Sequence, residues 1–237
     1  MKRLQLMNRT LATCATILIV AATFPVRSLA DTTNVINDRE SVYTQQINRR
    51  AEKIVATLNV ADSDQGARVR AIIVKQYRDL RAIHDARDAK IKPAKGWAGT
   101  TNKMAAEAEI KSAQDAADTG LKQLHGEYLS RLSGELSPEQ VDQVKDGMTY
   151  GVVPLTYGAY LKRYRDLTDE QKQKIKDWLV EARELAMDAG SSQEKHAWFG
   201  KYKGKINNYL SAAGYDAKTA ERNLKKADTP RTHRKPK

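Results

Sequence analysis

One cysteine, six prolines and two phenylalanines in 237 residues leave several kinds of protein without their raw material. The cysteine, Cys14, lies in an N-terminal apolar segment, so the chain beyond it has no disulfide, no thiolate nucleophile and no cysteine-ligated metal. His84, His125, His196 and His233 are too scattered to form a metal set, and no metal site is expected. There is no glycine-rich phosphate loop, no His-Glu-x-x-His, no nucleophile elbow and no dinucleotide fingerprint. No cofactor is therefore expected. Alternation of period two is absent over any useful length, which argues against strands.

What is present begins with an export signal over residues 1–30. Lys2, Arg3 and Arg9 supply the positive start, Leu11 to Phe24 the apolar stretch, and Ser28-Leu29-Ala30 the small residues before a cleavage site placed after Ala30. The stretch is shorter than the roughly 20 residues a membrane-spanning helix needs. The expected mature chain is periplasmic or secreted and has no transmembrane segment. Net charge is +12, but it is concentrated at the ends. The signal carries 4 Lys/Arg and no acids, and a basic tail over 222–237 carries 7 against Asp228, leaving 30 bases and 28 acids over 31–221. A nucleic-acid binder spreads its basic field over the folded surface, so no nucleic-acid partner is expected. The tail reads as a solvated, disordered end.

Helical periodicity dominates 31–221, and the expected fold is all-α: a long antiparallel hairpin followed by shorter helices, in one domain. The hairpin half spans about 38–135 and an aromatic, glycine-punctuated half about 136–215. Val42, Ile47, Ala51, Ile54, Val55 and Leu58 mark a first amphipathic helix. Asp62 or Ser63 caps a second, with the stripe Val69, Ile73, Gln76, Leu80, Ile83 and Ile91, broken near Pro93 by a loop carrying Trp97. An alanine-rich third runs from about Asn102 to Leu132. Ser137-Pro138-Glu139-Gln140 and Thr168-Asp169-Glu170-Gln171 have the grammar of helix starts, as does Ser191 with Glu194. Between the first two, Gly147, Gly151, Pro154 and Gly158 punctuate a segment containing Tyr150, Tyr157, Tyr160 and Tyr164. A helix over 168–188 is expected to bury Ile175, Trp178, Leu179, Ala182 and Leu185.

Three constellations can carry chemistry. Lys195, His196, Lys201, Lys203 and Lys205 interleave with Trp198, Phe199, Tyr202 and Tyr209, followed by Asn207 and Asn208. Aromatic faces stack on sugar rings, and ammonium and amide groups bind carboxylates and hydroxyls, so the mixture suits an anionic sugar; core packing and a solvated lysine face are the bland alternative. Asp177, Glu181, Glu184 and Asp188 line one side of a helix, where their mutual repulsion calls for basic neighbours, a cation or raised pKa values. Tyr77, Arg81 and His84 share a third face that suits a carboxylate clamp.

Two resemblances emerge from these residues. Val144-Lys145-Asp146-Gly147-Met148-Thr149-Tyr150-Gly151-Val152-Val153-Pro154, Glu181-Ala182-Arg183-Glu184 and Lys195-His196-Ala197-Trp198-Phe199-Gly200-Lys201-Tyr202-Lys203-Gly204 resemble the signature of a domain of unknown function. Its members are secreted helical proteins from polysaccharide-utilisation gene clusters of Gram-negative bacteria, often beside pectin-degrading enzymes. The resemblance implies handling of acidic polysaccharide outside the cytoplasm and brings no catalytic residues with it. Leu167-Thr168-Asp169-Glu170-Gln171 is similar to the motif of the LTxxQ periplasmic chaperones, which implies the alternative of a non-catalytic chaperone or scaffold.

The sequence thus leads to an exported protein that binds an acidic polysaccharide fragment such as a pectin-type uronide. Whether it also breaks a bond, by hydrolysis or β-elimination, is left open. The expected catalytic groups are Tyr150, Glu181, Glu184 and His196; the expected substrate-binding groups are Tyr157, Arg183, Lys195, Trp198, Lys201, Tyr202, Lys203 and Asn207. All are expected to converge on one hollow.

Overall fold

The computed structural model describes residues 29–97, 102–216, 218 and 220–222. Residues 1–28 of the expected signal and the tail from 223 onward lie outside the described residues. The helices are α1 (Leu29–Val55), α2 (Ser63–Trp97), α3 (Lys103–Ser133), α4 (Pro138–Met148), α5 (Val152–Arg163), α6 (Asp169–Met187) and α7 (Ser192–Ala212). Among the described residues there is no strand, and no helix is long and apolar enough to cross a membrane. The fold is an all-α bundle. The chain divides into two compact units, Met1–Val42 and Tyr43–Lys237. The first contributes the N-terminal part of α1; both apolar clusters and every candidate site residue belong to the second.

The helix starts obey their local chemistry. Ser137 and Thr168 each accept a hydrogen bond from the backbone three residues on, while Gln140 and Gln171 reach back to the cap backbone. Such reciprocal caps satisfy two donors that a helix start otherwise leaves bare. At α7, Ser191 accepts from the Glu194 backbone N–H, but the Glu194 carboxylate reaches one residue further than expected and accepts from Gly190 N at 2.9 Å. Asp62 caps α2 through Asp64 N at 2.8 Å.

Two expected breaks are helical. Pro93 lies inside α2, which continues to Trp97. The missing N–H forfeits one hydrogen bond, and the helix goes on for only about one turn, with Ala94 fully buried. The tyrosine segment is α5 itself, with Pro154 in the first turn, where an N–H has no intrahelical acceptor.

Side chains sort into two apolar clusters. The first joins Ala51, Ile54 and Leu58 at the end of α1 to Val69, Ile73 and Leu80 of α2, Leu124, Tyr128 and Leu132 of α3, and Val141, Val144 and Met148 of α4. The second gathers Val153 and Tyr160 of α5, Ile175, Leu179, Ala182 and Ala186 of α6, and Phe199, Tyr202, Ile206 and Leu210 of α7. The α4 helix therefore packs with the hairpin. Gly147 explains how closely: a Cβ there would lie 2.7 Å from Ile54 Cγ1. On α2 the buried stripe passes through His84 at 7% exposure instead of Ile83, and on α6 it takes Ala186 and Met187 while Leu185 stays 38% exposed.

Candidate functional site

The α6 carboxylates do not stand alone. Arg183, only 4% exposed, donates to Asp142 Oδ1 at 2.7 Å and Asp146 Oδ1 at 2.9 Å, and lies 3.4 Å from Glu184. Lys145 Nζ donates to Glu184 Oε2 at 3.0 Å. The signature stretches around Lys145-Asp146 and Arg183-Glu184 therefore bind each other, sewing α4 to α6. Arg183 is consumed there as an internal partner. Burial pulls its pKa down, yet the Asp146 and Asp142 carboxylates more than reverse this, and the guanidinium stays charged.

On the other side of Glu184 a cleft of about 570 Å³ opens between α2, α3, α6 and α7. His125 of α3 stands in its wall. Its Nδ1 is 2.8 Å from Asp188 Oδ2, and its Nε2 is 3.6 Å from Glu184 Oε2. These two carboxylates outweigh burial and push the imidazole up to about 9, so His125 is an imidazolium at neutral pH. Burial tends to raise Glu184, but the His125 cation at 3.6 Å and the hydrogen bond from Lys145 hold it down at about 2. Raised carboxyl values, one of the expected responses to crowding along α6, are not what this stretch uses at Glu184.

The cleft's floor is fixed from α2. His84 Nε2–H donates to the Asp188 carbonyl oxygen at 2.7 Å, and Gly190 allows the contact, since a Cβ there would sit 2.8 Å from the His84 ring. Trp198 and Glu194 of α7, Leu185 of α6, Leu121 and Lys122 of α3 and Arg87 of α2 complete the wall. Arg87 is paired with Asp88 and faces Glu194 at 3.9 Å, whereas Lys122 forms no ion pair among the described residues. Lys201 Nζ sits 5.0 Å above the Trp198 ring.

Of the twelve residues expected from the sequence to share a hollow, Glu184 and Trp198 line this cleft and Lys201 covers the indole. Tyr150, in the turn between α4 and α5, and His196 stack on each other, with ring centroids 5.5 Å apart, and line neither this cleft nor its neighbour. Tyr150 has φ of +62°, a left-handed backbone that is strained for a tyrosine and arises from the tight turn out of α4. Asn207 accepts from the Tyr160 hydroxyl at 2.8 Å and, with Lys203, lines a separate groove of about 410 Å³ between α5 and α7. Glu181 faces Lys205 at 3.9 Å and lies beside Tyr202. Tyr202 is buried, and Tyr157 packs against the same second core. Lys195, 6% exposed, donates to the Ala186 and Met187 carbonyls at 2.8 and 2.9 Å, and burial lowers it to about 8. The single hollow does not form, because α7 turns Trp198 into the cleft beside α3 and His196 onto Tyr150 in the turn between α4 and α5. The Tyr77, Arg81 and His84 face also disperses: Arg81 stacks over Tyr43 at 4.2 Å, Tyr77 packs half-buried against the first core, and His84 serves Asp188.

His125, Asp188 and His84 are the site residues that sequence spacing did not single out as a group. One signal was available: His125 comes after Leu124 on the edge of the stripe leading to Tyr128, where an apolar residue fits more easily.

Residues 44–228 match the family described as Protein of unknown function (DUF3826), and the chain belongs to that family. No curated protein matches the chain.

Proposed function

We propose that this family member is an exported envelope protein that binds an acidic polysaccharide fragment, of the pectin-type uronide class, in the cleft between α3, α6 and α7. The observation that carries the reading is the mixture of side chains in that one cleft. The Trp198 indole, with Leu185 and Leu121, offers an apolar face for a sugar ring. Glu184 is an ionised acceptor for hydroxyls, already balanced by His125, Lys145 and Arg183. Lys122 and Lys201 stand at the edge, where a sugar carboxylate finds an ammonium without first displacing an ion pair. A cleft of about 570 Å³ falls in the range that encloses a ligand of a few sugar units.

The chaperone reading calls for a continuous exposed apolar face. The large exposed apolar side chains are instead dispersed, with Met104 on α3, Leu155 on α5 and Leu185 alone in the cleft. Burial of Tyr160 and Tyr164 as packing is a feature that reading shares with the structure.

Thermal shift and calorimetry with de-esterified oligogalacturonides, against neutral oligosaccharides of equal length, test the proposal. A ligand at a hundred times its Kd stabilises the folded state by about 2.7 kcal/mol. That shift is expected for the acidic series and is expected to vanish in Trp198→Ala and weaken in Lys122→Ala. No shift across the acidic panel, or an equal shift in Trp198→Ala, overturns it.

A further inference from the structure

We infer that the cleft is catalytic, with His125 passing a proton to a glycosidic oxygen and Asp188 as the positioning carboxylate behind it. The inference rests on the glycan reading and adds bond cleavage to it.

The geometry separates His125 from an ordinary ion pair. Its Nδ1–H is bound to Asp188 at 2.8 Å, which fixes the ring. The opposite edge, Nε2, is 3.6 Å from Glu184, an ion-pair distance longer than a hydrogen bond, so a closer acceptor in the cleft can take its N–H. The side chain is 23% exposed in a cleft wall that also holds Trp198. Asp188 is held in turn, its carbonyl oxygen receiving the buried His84 Nε2–H. The second carboxylate oxygen of Asp188 and His84 Nδ1 are buried without a partner among the described residues. Two unsatisfied acceptors so close to one imidazolium cost stability, and such a cost is characteristic of sites shaped for chemistry. By contrast, the charges around Arg183, one helical turn away, are all paired.

Water from solvent is the co-reactant that balances the step. The Nε2 proton passes to the glycosidic oxygen as the bond from that oxygen to the anomeric carbon breaks, its electron pair staying on oxygen. Water adds its hydroxyl to the anomeric carbon, and its remaining proton returns to Nε2. Glu184, held anionic by Lys145 and Arg183, faces the positive charge that develops on the sugar.

The full chain is incubated with de-esterified oligogalacturonides, and reducing ends and product masses are monitored from acid to alkaline pH. Expected are products that gain one water per cleavage, and a rate that falls as pH rises through about 9, where His125 loses its proton. The carboxylates that set that limb are Glu184 and Asp188 of α6, with Glu194 of α7 and Asp118 of α3 further off. The opposing cations are Lys145 of α4, Arg87 of α2 and Lys122 of α3, with His84 beside Asp188. His125→Gln is expected to lower kcat by about 10²- to 10⁴-fold with little change in KM. Asp188→Asn is expected to move the alkaline limb to lower pH, which a merely structural residue would not do. If His125→Gln does not fold, the alkaline limb of the unaltered protein decides. Binding without cleavage overturns the inference and leaves the glycan reading standing. Absence of binding removes both. Unsaturated products, or undiminished turnover in His125→Gln, overturn the assignment of His125.

Discussion

Two clusters of charge sit back to back on α6 and share Glu184. Around Arg183, an almost fully buried cation meets Asp142 and Asp146 at 2.7 and 2.9 Å, with Glu184 further off at 3.4 Å. Around His125, the cation is part-exposed, one of its two edges is beyond hydrogen-bond length, and a cleft opens in front of it. The helix supplies Arg183 and Glu184 to the first and Glu184 and Asp188 to the second, while the first takes its other two carboxylates from α4. What separates a girder from a site here is how completely the partner side pairs them, and whether anything can enter.

That contrast can be broken in several places. The largest effect is expected from Arg183→Ala, which takes the cation from Asp142 and Asp146 and empties a buried site while Glu184 keeps Lys145; with Asp142 61% exposed, the cost falls at the low end of that for breaking a buried pair, about 3 kcal/mol. For a domain of this size that lowers Tm by roughly 10 °C. A drop in Tm of only a degree or two would show the seam to be ornamental.

Glycine substitutions sharpen the contrast next. Gly147→Ala and Gly190→Ala each drive a Cβ into a neighbour at under 3.0 Å, on Ile54 and on His84 respectively, and each is expected to cost about 1–3 kcal/mol. Only Gly190→Ala should also weaken oligogalacturonide binding, since His84 holds Asp188. Equal binding by the two variants would detach the α2 contact from the cleft.

The third effect depends on pH. His125 is raised in the fold from 6.5 to about 9, so the stability it brings is fully present below about pH 6.5 and disappears as pH rises through 9. With some discount for its partial exposure this amounts to about 2 kcal/mol. Denaturant midpoints for the wild type and His125→Gln are expected to converge toward pH 10; a constant gap between them contradicts the assignment. The smallest effect belongs to the other flank of α7. His196→Ala removes one exposed ring stack worth under about 1 kcal/mol and should leave glycan binding unchanged. If binding is lost, the working site is at Tyr150 and His196.

Much of the scaffold was legible because its signals are local. Caps at Ser137 and Thr168, the alanine-rich hairpin partner and the stripe from Val69 to Leu80 depend on residues within a turn or two of one another. Pro154 misled because it sits in a first turn, where the missing N–H costs little, and Pro93 because the one hydrogen bond it forfeits is only about a turn from the end of α2. The site was legible only in fragments. Glu184 and Trp198 stood out by composition, but the side chain that unites them, His125, meets Asp188 across 63 residues. His84 meets the same residue across 104. No periodicity within one helix encodes such a meeting. Lys195 and Arg183 looked like ligand-binding cations for the converse reason: charge in a sequence does not disclose that it will be spent on a neighbouring carbonyl or carboxylate indoors.

Lys195 has a mechanical consequence of its own. Its ammonium, planted in α7, grips the last two carbonyls of α6 from inside the corner, so the two helices behave as one welded bracket rather than as arms on a pivot. Asp188 and Trp198 ride on that bracket together. The α3 wall is tied to the same bracket through His125 and Asp188, so the cleft cannot widen without parting that contact.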